Sequence, residues 1–224
     1  MDMYSLLLFA HVAGTIISVG GATMSDALFF KSIKNRKISK DEFKLLHEAG
    51  KVIWGGLTLT ILAGLGLLGY QHMQGSVALY YQAYFQMKMI LIGIVIINGL
   101  VFHLKVLPLL KAHLGEDLRE KALSQYFWLF SLTGAISIVS WWSVVVLAVL
   151  NPNLPLLLML NFYALLVVFG GLFGYLMMTH VIFGDVQKTE NKVVSISKTN
   201  SVGFGIGLVL LILLVVFLVL GGVI

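Results

Sequence analysis

The chain has 224 residues, of which 59% are hydrophobic and 11% charged, and its mean hydropathy is +0.97. This composition is far more apolar than that of a soluble domain, so it excludes a soluble protein as the main architecture. The net charge of +5 does not indicate nucleic-acid binding, because the basic residues lie in short segments beside apolar runs. The absence of cysteine excludes disulfides and thiolate metal sites of this chain's own.

Six apolar runs are each long enough to cross a bilayer, which takes roughly 20 residues per helix. They predict an all-α integral membrane protein, a bundle of six transmembrane helices. We expect residues 1–150 to form a four-helix core and residues 151–224 to add two helices. The first run is too long for a cleaved signal peptide and lacks a basic start, so it should remain as a helix. The runs are Tyr4 to Phe30, Val52 to Tyr70, Tyr84 to Leu107, Tyr126 to Leu150, Leu156 to Phe183 and Val202 to Ile224.

The loops between these runs differ in charge. The first, third and fifth loops carry the basic residues, whereas the second loop and the fourth carry none. The positive-inside rule therefore predicts that the basic loops are cytoplasmic and that both termini lie outside. In the first loop, Ser39 is followed three residues later by Glu42, a capping-box spacing that predicts a short amphipathic helix before the second span.

Ionisable residues inside apolar runs are costly in lipid and are candidates for function. Four stand out here: His11, Asp26, Lys88 and His103. Depth along the helices places His11 and Lys88 in an outer layer. His103 follows Lys88 by fifteen positions, about 22 Å at ~1.5 Å per residue, which places His103 in an inner layer.

Other side chains can reach the depth of His103. His180 lies near the cytoplasmic end of the fifth run, and His47 and Asp26 are expected at the same level. His72 is expected at an outer helix end and His113 in a loop. An alternative for each histidine is a structural role, because one hydrogen bond satisfies a neutral imidazole in a helix bundle.

Small and polar residues recur on the first helix at spacings of three and four. This pattern predicts one face that points into the bundle and packs closely against another helix. The residues of this face are His11, Gly14, Ser18, Gly21 and Ser25.

Two segments resemble a superfamily of small bacterial membrane proteins that includes the copper resistance D family and the integral-membrane protoporphyrinogen oxidase. Residues 9–14 (FAHVAG), continuing to Gly20-Gly21, are similar to its first helix, and residues 85–91 (FQMKMIL) with a later His103 are similar to its third. The resemblance covers roughly residues 1–150. It implies a four-helix core that binds b-type haem or handles copper in a bacterial or archaeal cell membrane, with His11, Lys88 and His103 at the family's polar positions. Val19 stands where the family usually has an aromatic residue.

The leading hypothesis is a membrane redox protein with one or two b-type haems, ligated by His11 in the outer layer and by His103, with His180, in the inner layer. A second is copper transport or sensing, with methionines as further ligands. A third is a membrane enzyme that oxidises a porphyrin, in which Lys88 meets a propionate. The sequence leaves open the redox donor and acceptor and whether the chain forms a homo-oligomer in the lipid bilayer. The candidate methionines are Met87, Met89, Met177 and Met178.

Overall fold

The computed structural model describes residues 2–75, 81–118 and 121–183, and all regular structure in these residues is helical. Five helical segments are long and apolar enough to cross a membrane, so this is a multi-pass membrane helix bundle. A π-helical segment, Phe102–Val106, joins α3 to α4, and together they make the third span, Ala83–Ala112. The helices are α1 (Met3–Asn35), α2 (Lys40–Met73), α3 (Ala83–Val101), α4 (Leu107–Ala112), α5 (Lys121–Ser124), α6 (Phe127–Leu150) and α7 (Leu156–Phe183).

Five of the six predicted spans are thus present as helices. The sixth, Val202 to Ile224, lies outside the described residues. The first two helices extend well beyond the apolar runs that predicted them, because each continues into polar sequence on the side of the first loop.

The capping box at Ser39 is confirmed, but the separate amphipathic helix is not. The Ser39 hydroxyl accepts a hydrogen bond from the Glu42 backbone N–H at 3.1 Å, and the Glu42 carboxylate accepts one from the Ser39 backbone N–H at 3.0 Å. From Lys40 onward the helix runs without a break into the second span. With two of its free N–H groups satisfied at the start, and no proline or turn residue after it, this segment simply forms the first turns of α2.

Helices α1 and α2 approach each other closely through small residues. An ideal Cβ built on Gly14 would lie 2.7 Å from the Thr60 backbone nitrogen, and one built on Gly56 would lie 2.8 Å from the Ser18 nitrogen. Ser18 is fully buried, with its hydroxyl donating to the Gly14 carbonyl at 2.8 Å. The predicted small and polar face of α1 therefore does point into the bundle, where it packs on α2.

Helix α6 lies opposite this pair and packs against α7 and α3. Gly170 and Gly174 of α7 allow close approach to Ala135 and Ser131 of α6. In the most apolar 18-residue window of α7, only 6% of the residues are buried, so most of that surface is not covered by the described part of the chain.

The π-helical segment has a local cause in the sequence. Pro108 follows it, and a proline lacks the N–H that would bond the Leu104 carbonyl in a regular α-helix. In the turn before the proline, the backbone hydrogen bonds span five residues instead of the four of an α-helix, as at other helix irregularities next to proline. His103 lies in this widened turn.

Candidate functional site: a polar cleft at His103

A cleft of about 80 Å³ lies between α1, α2, α6 and the end of α3. Five of the side chains that line it are polar and come from three helices, and the walls are aromatic and aliphatic. The polar side chains are Ser25, Asp26, Asn98, Thr133 and Ser137, and the aromatic ones are Phe29, Trp54, Phe102, Phe130 and Trp141. His103 completes the lining from the π-helical segment.

His103 is held in one orientation by its own helix and by α2. Its Nδ1 lies 3.0 Å from the Gly99 carbonyl oxygen, which can only accept, so Nδ1 carries the proton and Nε2 keeps its lone pair. The Trp54 Nε1 lies 3.4 Å from the same Nδ1. This Trp54 N–H donates over a longer distance than that of the Gly99 contact and is the weaker of the two, and the two rings also pack with centroids 6.1 Å apart and planes at 72°.

A glycine of α2 makes room for the His103 imidazole. A Cβ on Gly50 would lie 2.9 Å from His103 Nε2 and 3.1 Å from Cε1, which is closer than real Cβ contacts. The Nε2 edge of the ring therefore lies against the backbone of α2, and a side chain at position 50 would have to displace the imidazole.

His11 also lies against a glycine of α2 at another level, but with the Nδ1 edge of its ring rather than the Nε2 edge. Its Nδ1 donates to the Thr60 carbonyl at 2.8 Å, which leaves Nε2 with the lone pair. A Cβ on Gly64 would lie 3.1 Å from this imidazole. Gly50 and Gly64 are about 21 Å apart along the axis of α2, and their directions from that axis differ by only about 40°. Two imidazoles with the same tautomer thus lie against one face of α2 at two depths.

Two hydrogen bonds connect the helices around the cleft. The Ser137 hydroxyl of α6 donates to Asp26 Oδ2 of α1 at 3.2 Å, and the Asn98 amide of α3 donates to the Thr133 carbonyl of α6 at 3.0 Å. Burying these polar groups in a lipid-facing bundle is costly unless they are paired, so the hydrogen bonds fix how α6 is rotated relative to α1 and α3.

The other predicted site residues lie outside the cleft. Lys88 is partly buried with its Nζ 5.0 Å from the centre of the Tyr84 ring on its own helix, and it shares no direct bond with His11. His47 is exposed and stacks on Phe43. His180 is exposed near the end of α7 and does not line the cleft.

The remaining predictions concern histidines at the ends of helices and the candidate methionines. His72 lies in the last turn of α2, and His113 follows the end of α4, as predicted. Met87 is buried in the apolar core, and the Met178 sulfur accepts a hydrogen bond from Ser131. Within the residues described, no three histidine or acidic side chains come together as a metal site.

Trp54, Asn98 and Ser137 also belong to this site, although the sequence pattern had not singled them out. The signal for Asn98 and Ser137 was present, since each is a polar residue inside an apolar run. The place of Trp54 in the cleft depends on the packing of α2 against Gly99 of α3, which composition and periodicity do not reveal.

Fold and composition together define a multi-pass α-helical membrane protein with an intramembrane polar cleft. No protein-family model, curated protein or solved structure matches the chain.

Proposed function

We propose that this chain is a membrane-embedded redox protein that binds b-type haem between its helices and transfers electrons within or across the bilayer. The observation that carries the proposal is the pair of imidazoles on α2, His103 and His11. In each, Nδ1 lies within hydrogen-bond distance of a backbone carbonyl and Nε2 is the nitrogen that would bind haem iron, which for His103 requires the ring to move away from Gly50. The resemblance of residues 9–14 and 85–91 to a haem- and copper-handling superfamily supports the same conclusion.

The lining of the inner cleft is largely aromatic and aliphatic, as the walls of a haem pocket would be. Its walls combine aromatic rings with glycines, and a Cβ on Gly134 would meet only open space. Ligand pockets usually enclose roughly 300–1,000 Å³, so a cleft of about 80 Å³ has to widen to admit a porphyrin. Helices α1 and α6 meet there through the Phe29–Phe130 ring contact and the Asp26–Ser137 hydrogen bond, and their separation would provide the width.

In this proposal the residues around the two imidazoles have the following roles. His103 would ligate the inner haem and His11 the outer one, which places the sites about 21 Å apart along α2. The carbonyls of Gly99 and Thr60 fix the imidazole tautomers, and the apolar walls exclude water. Haem supplies one-electron chemistry when bound. The described cleft offers one imidazole, so any further protein ligand to an inner haem would come from outside this lining.

An absorption spectrum tests this function directly. Protein purified in mild detergent after expression with a haem supply is expected to show a Soret band, and sharp α and β bands after dithionite reduction. Metal analysis of the same sample should find iron. Copper without a Soret band would instead support the transport or sensing hypothesis, and a featureless spectrum without metal would support a structural role.

We also propose that the basic loops face the cytoplasm, so that the His103 cleft lies nearer the cytoplasmic side. The chain has no cysteine, so a single introduced cysteine is the only thiol of the protein that a maleimide can label. Lys37→Cys, in the exposed connection between α1 and α2, is expected to react with a membrane-impermeant maleimide only after cells are opened. Gln74→Cys, exposed at the other end of α2, should react in intact spheroplasts. The reverse pattern would overturn this orientation.

A further inference from the structure

The polar cleft holds one carboxyl group and no cationic side chain to pair with it. Asp26 is the acidic residue of its described lining, which contains no lysine or arginine. In the described part of the chain Asp26 forms no ion pair, and its Oδ2 accepts a hydrogen bond from the neutral Ser137 hydroxyl at 3.2 Å. A carboxylate within a membrane span is costly unless a positive charge lies beside it.

The other polar side chains around the cleft have donors that are already engaged. The Asn98 amide nitrogen donates to the Thr133 carbonyl at 3.0 Å, so the oxygen of the same amide is left to accept. The Thr133 hydroxyl donates to the Leu129 carbonyl at 2.8 Å and keeps its lone pairs. The Ser137 hydroxyl likewise uses its hydrogen on Asp26. Acceptor oxygens beside a carboxylate favour a positively charged occupant.

His103 does not supply the missing charge. Its Nδ1 faces the Gly99 carbonyl oxygen at 3.0 Å, and its Nε2 edge lies against the backbone of α2 at Gly50. Among the described residues no acceptor lies within hydrogen-bond distance of Nε2. A second proton on this ring would therefore have no partner in the cleft, so the positive charge has to come from outside the lining.

The size of the cleft restricts the occupant to a small ion. At roughly 10–15 Å³ for each water-sized sphere, about 80 Å³ holds on the order of six such groups. One carboxylate balances one positive charge, and no group of three acidic or histidine side chains gathers within the described residues, so a monovalent ion suits the cleft better than a divalent metal. The aromatic walls, including Trp54 and Trp141, also attract a cation through the negative faces of their rings.

We propose that the cleft binds one small monovalent cation, held by the Asp26 carboxylate and by the acceptor oxygens of Asn98 and Thr133. An alkali-metal ion and a small alkylammonium share this chemistry. The inference goes beyond the proposed function and does not rest on it, because it uses the cleft at its present width. Haem at His103 requires α1 and α6 to separate, which would break the Asp26–Ser137 hydrogen bond, so the cation belongs to the haem-free cleft.

Thermal melting of the full chain in detergent, after expression without a haem supply, tests this site. The starting buffer contains N-methylglucamine as its cation, which is too large for the cleft. Na⁺, K⁺ or methylammonium then replaces it at constant ionic strength. At ten times its dissociation constant, a bound cation shifts the folding equilibrium about tenfold, which for a chain of this size raises the melting temperature by roughly 3–6 °C.

Three variants make the result specific. Asp26→Asn keeps the size of the side chain and removes the charge, so it should fold without a cation and its melting temperature should respond to none of them. Thr133→Val removes one acceptor oxygen with little change of shape, so the concentration that gives half of the rise should increase several-fold. Glu48→Gln removes an exposed carboxylate that pairs with Lys51 outside the cleft, and it should respond like the wild type.

The outcomes identify the ion or overturn the site. A saturable rise with Na⁺ or K⁺ indicates an alkali-metal ion, and a rise with methylammonium alone indicates an alkylammonium. Equilibrium binding of the radiolabelled form of that cation should then reach one per chain in the wild type and be absent in Asp26→Asn. No saturable rise with any of the three cations, or an equal rise in Asp26→Asn, would show that the cleft is not a cation site. The Soret band after expression with haem decides the proposed function separately.

Discussion

Replacing His103 with alanine is expected to abolish haem binding at the inner site while the protein remains folded. If two haems bind, the Soret absorbance per protein should fall by about half, and if only the inner haem binds it should be lost, because His103 is the one imidazole in the cleft lining that could hold the iron. The Gly99 carbonyl that His103 bonds also accepts a bond from the Phe102 backbone N–H, so the variant leaves no buried acceptor empty.

Matched histidine variants make this result specific. His47→Ala removes an exposed imidazole of α2 that does not line the cleft, and its haem content should equal that of the wild type. His11→Ala should remove only the outer haem. A His103→Ala protein that is monodisperse in detergent and retains its full Soret band would show that His103 is not a ligand.

The second large effect is expected at the crossing of α1 and α2. In Gly56→Leu, the new Cβ would lie 2.8 Å from the Ser18 nitrogen and 2.9 Å from the Gly14 carbonyl oxygen. These are backbone atoms that cannot rotate away, so the helices have to separate. Overpacking of this kind typically costs about 1–3 kcal/mol, and we expect at least the upper end of that range here because backbone must move.

Gly55 provides the control for this substitution. It is the adjacent residue on the same helix, and a Cβ there meets nothing within 4 Å. Gly55→Leu gains the same helix propensity without the clash. Thermal melting in detergent, followed by size-exclusion chromatography, should show a large loss of stability for Gly56→Leu and little change for Gly55→Leu. Equal melting temperatures would contradict the close crossing.

The spans were predictable because lipid imposes a simple rule on sequence. A helix that crosses a bilayer needs a long apolar run, and five such runs in this chain are helices in the structure. The small face of α1 was predictable for a related reason, since residues three and four apart share one side of a helix. Ser39 and Glu42 likewise marked a helix start by spacing alone.

The sequence did not determine which ionisable residues lie next to one another in the bundle. Depth along each helix suggested that His11 and Lys88 share a layer, but depth says nothing about which helices are neighbours. The structure pairs each imidazole with a glycine of α2 and leaves Lys88 over Tyr84. It also places Asp26 beside Ser137, two residues 111 positions apart in the chain.

By itself, the sequence determined that the chain is a multi-pass membrane protein, where its first five spans lie and which of its polar residues are held in the membrane. These properties follow from local composition and from the periodicity of a single helix. Only the tertiary structure decided that the cleft is built from Asp26, Asn98, His103 and Ser137, because helix rotation and packing depend on contacts between distant segments. The widened turn at His103 depends on both levels. Pro108 favours it through local sequence, and the packing of the helices places His103 of that turn in the cleft.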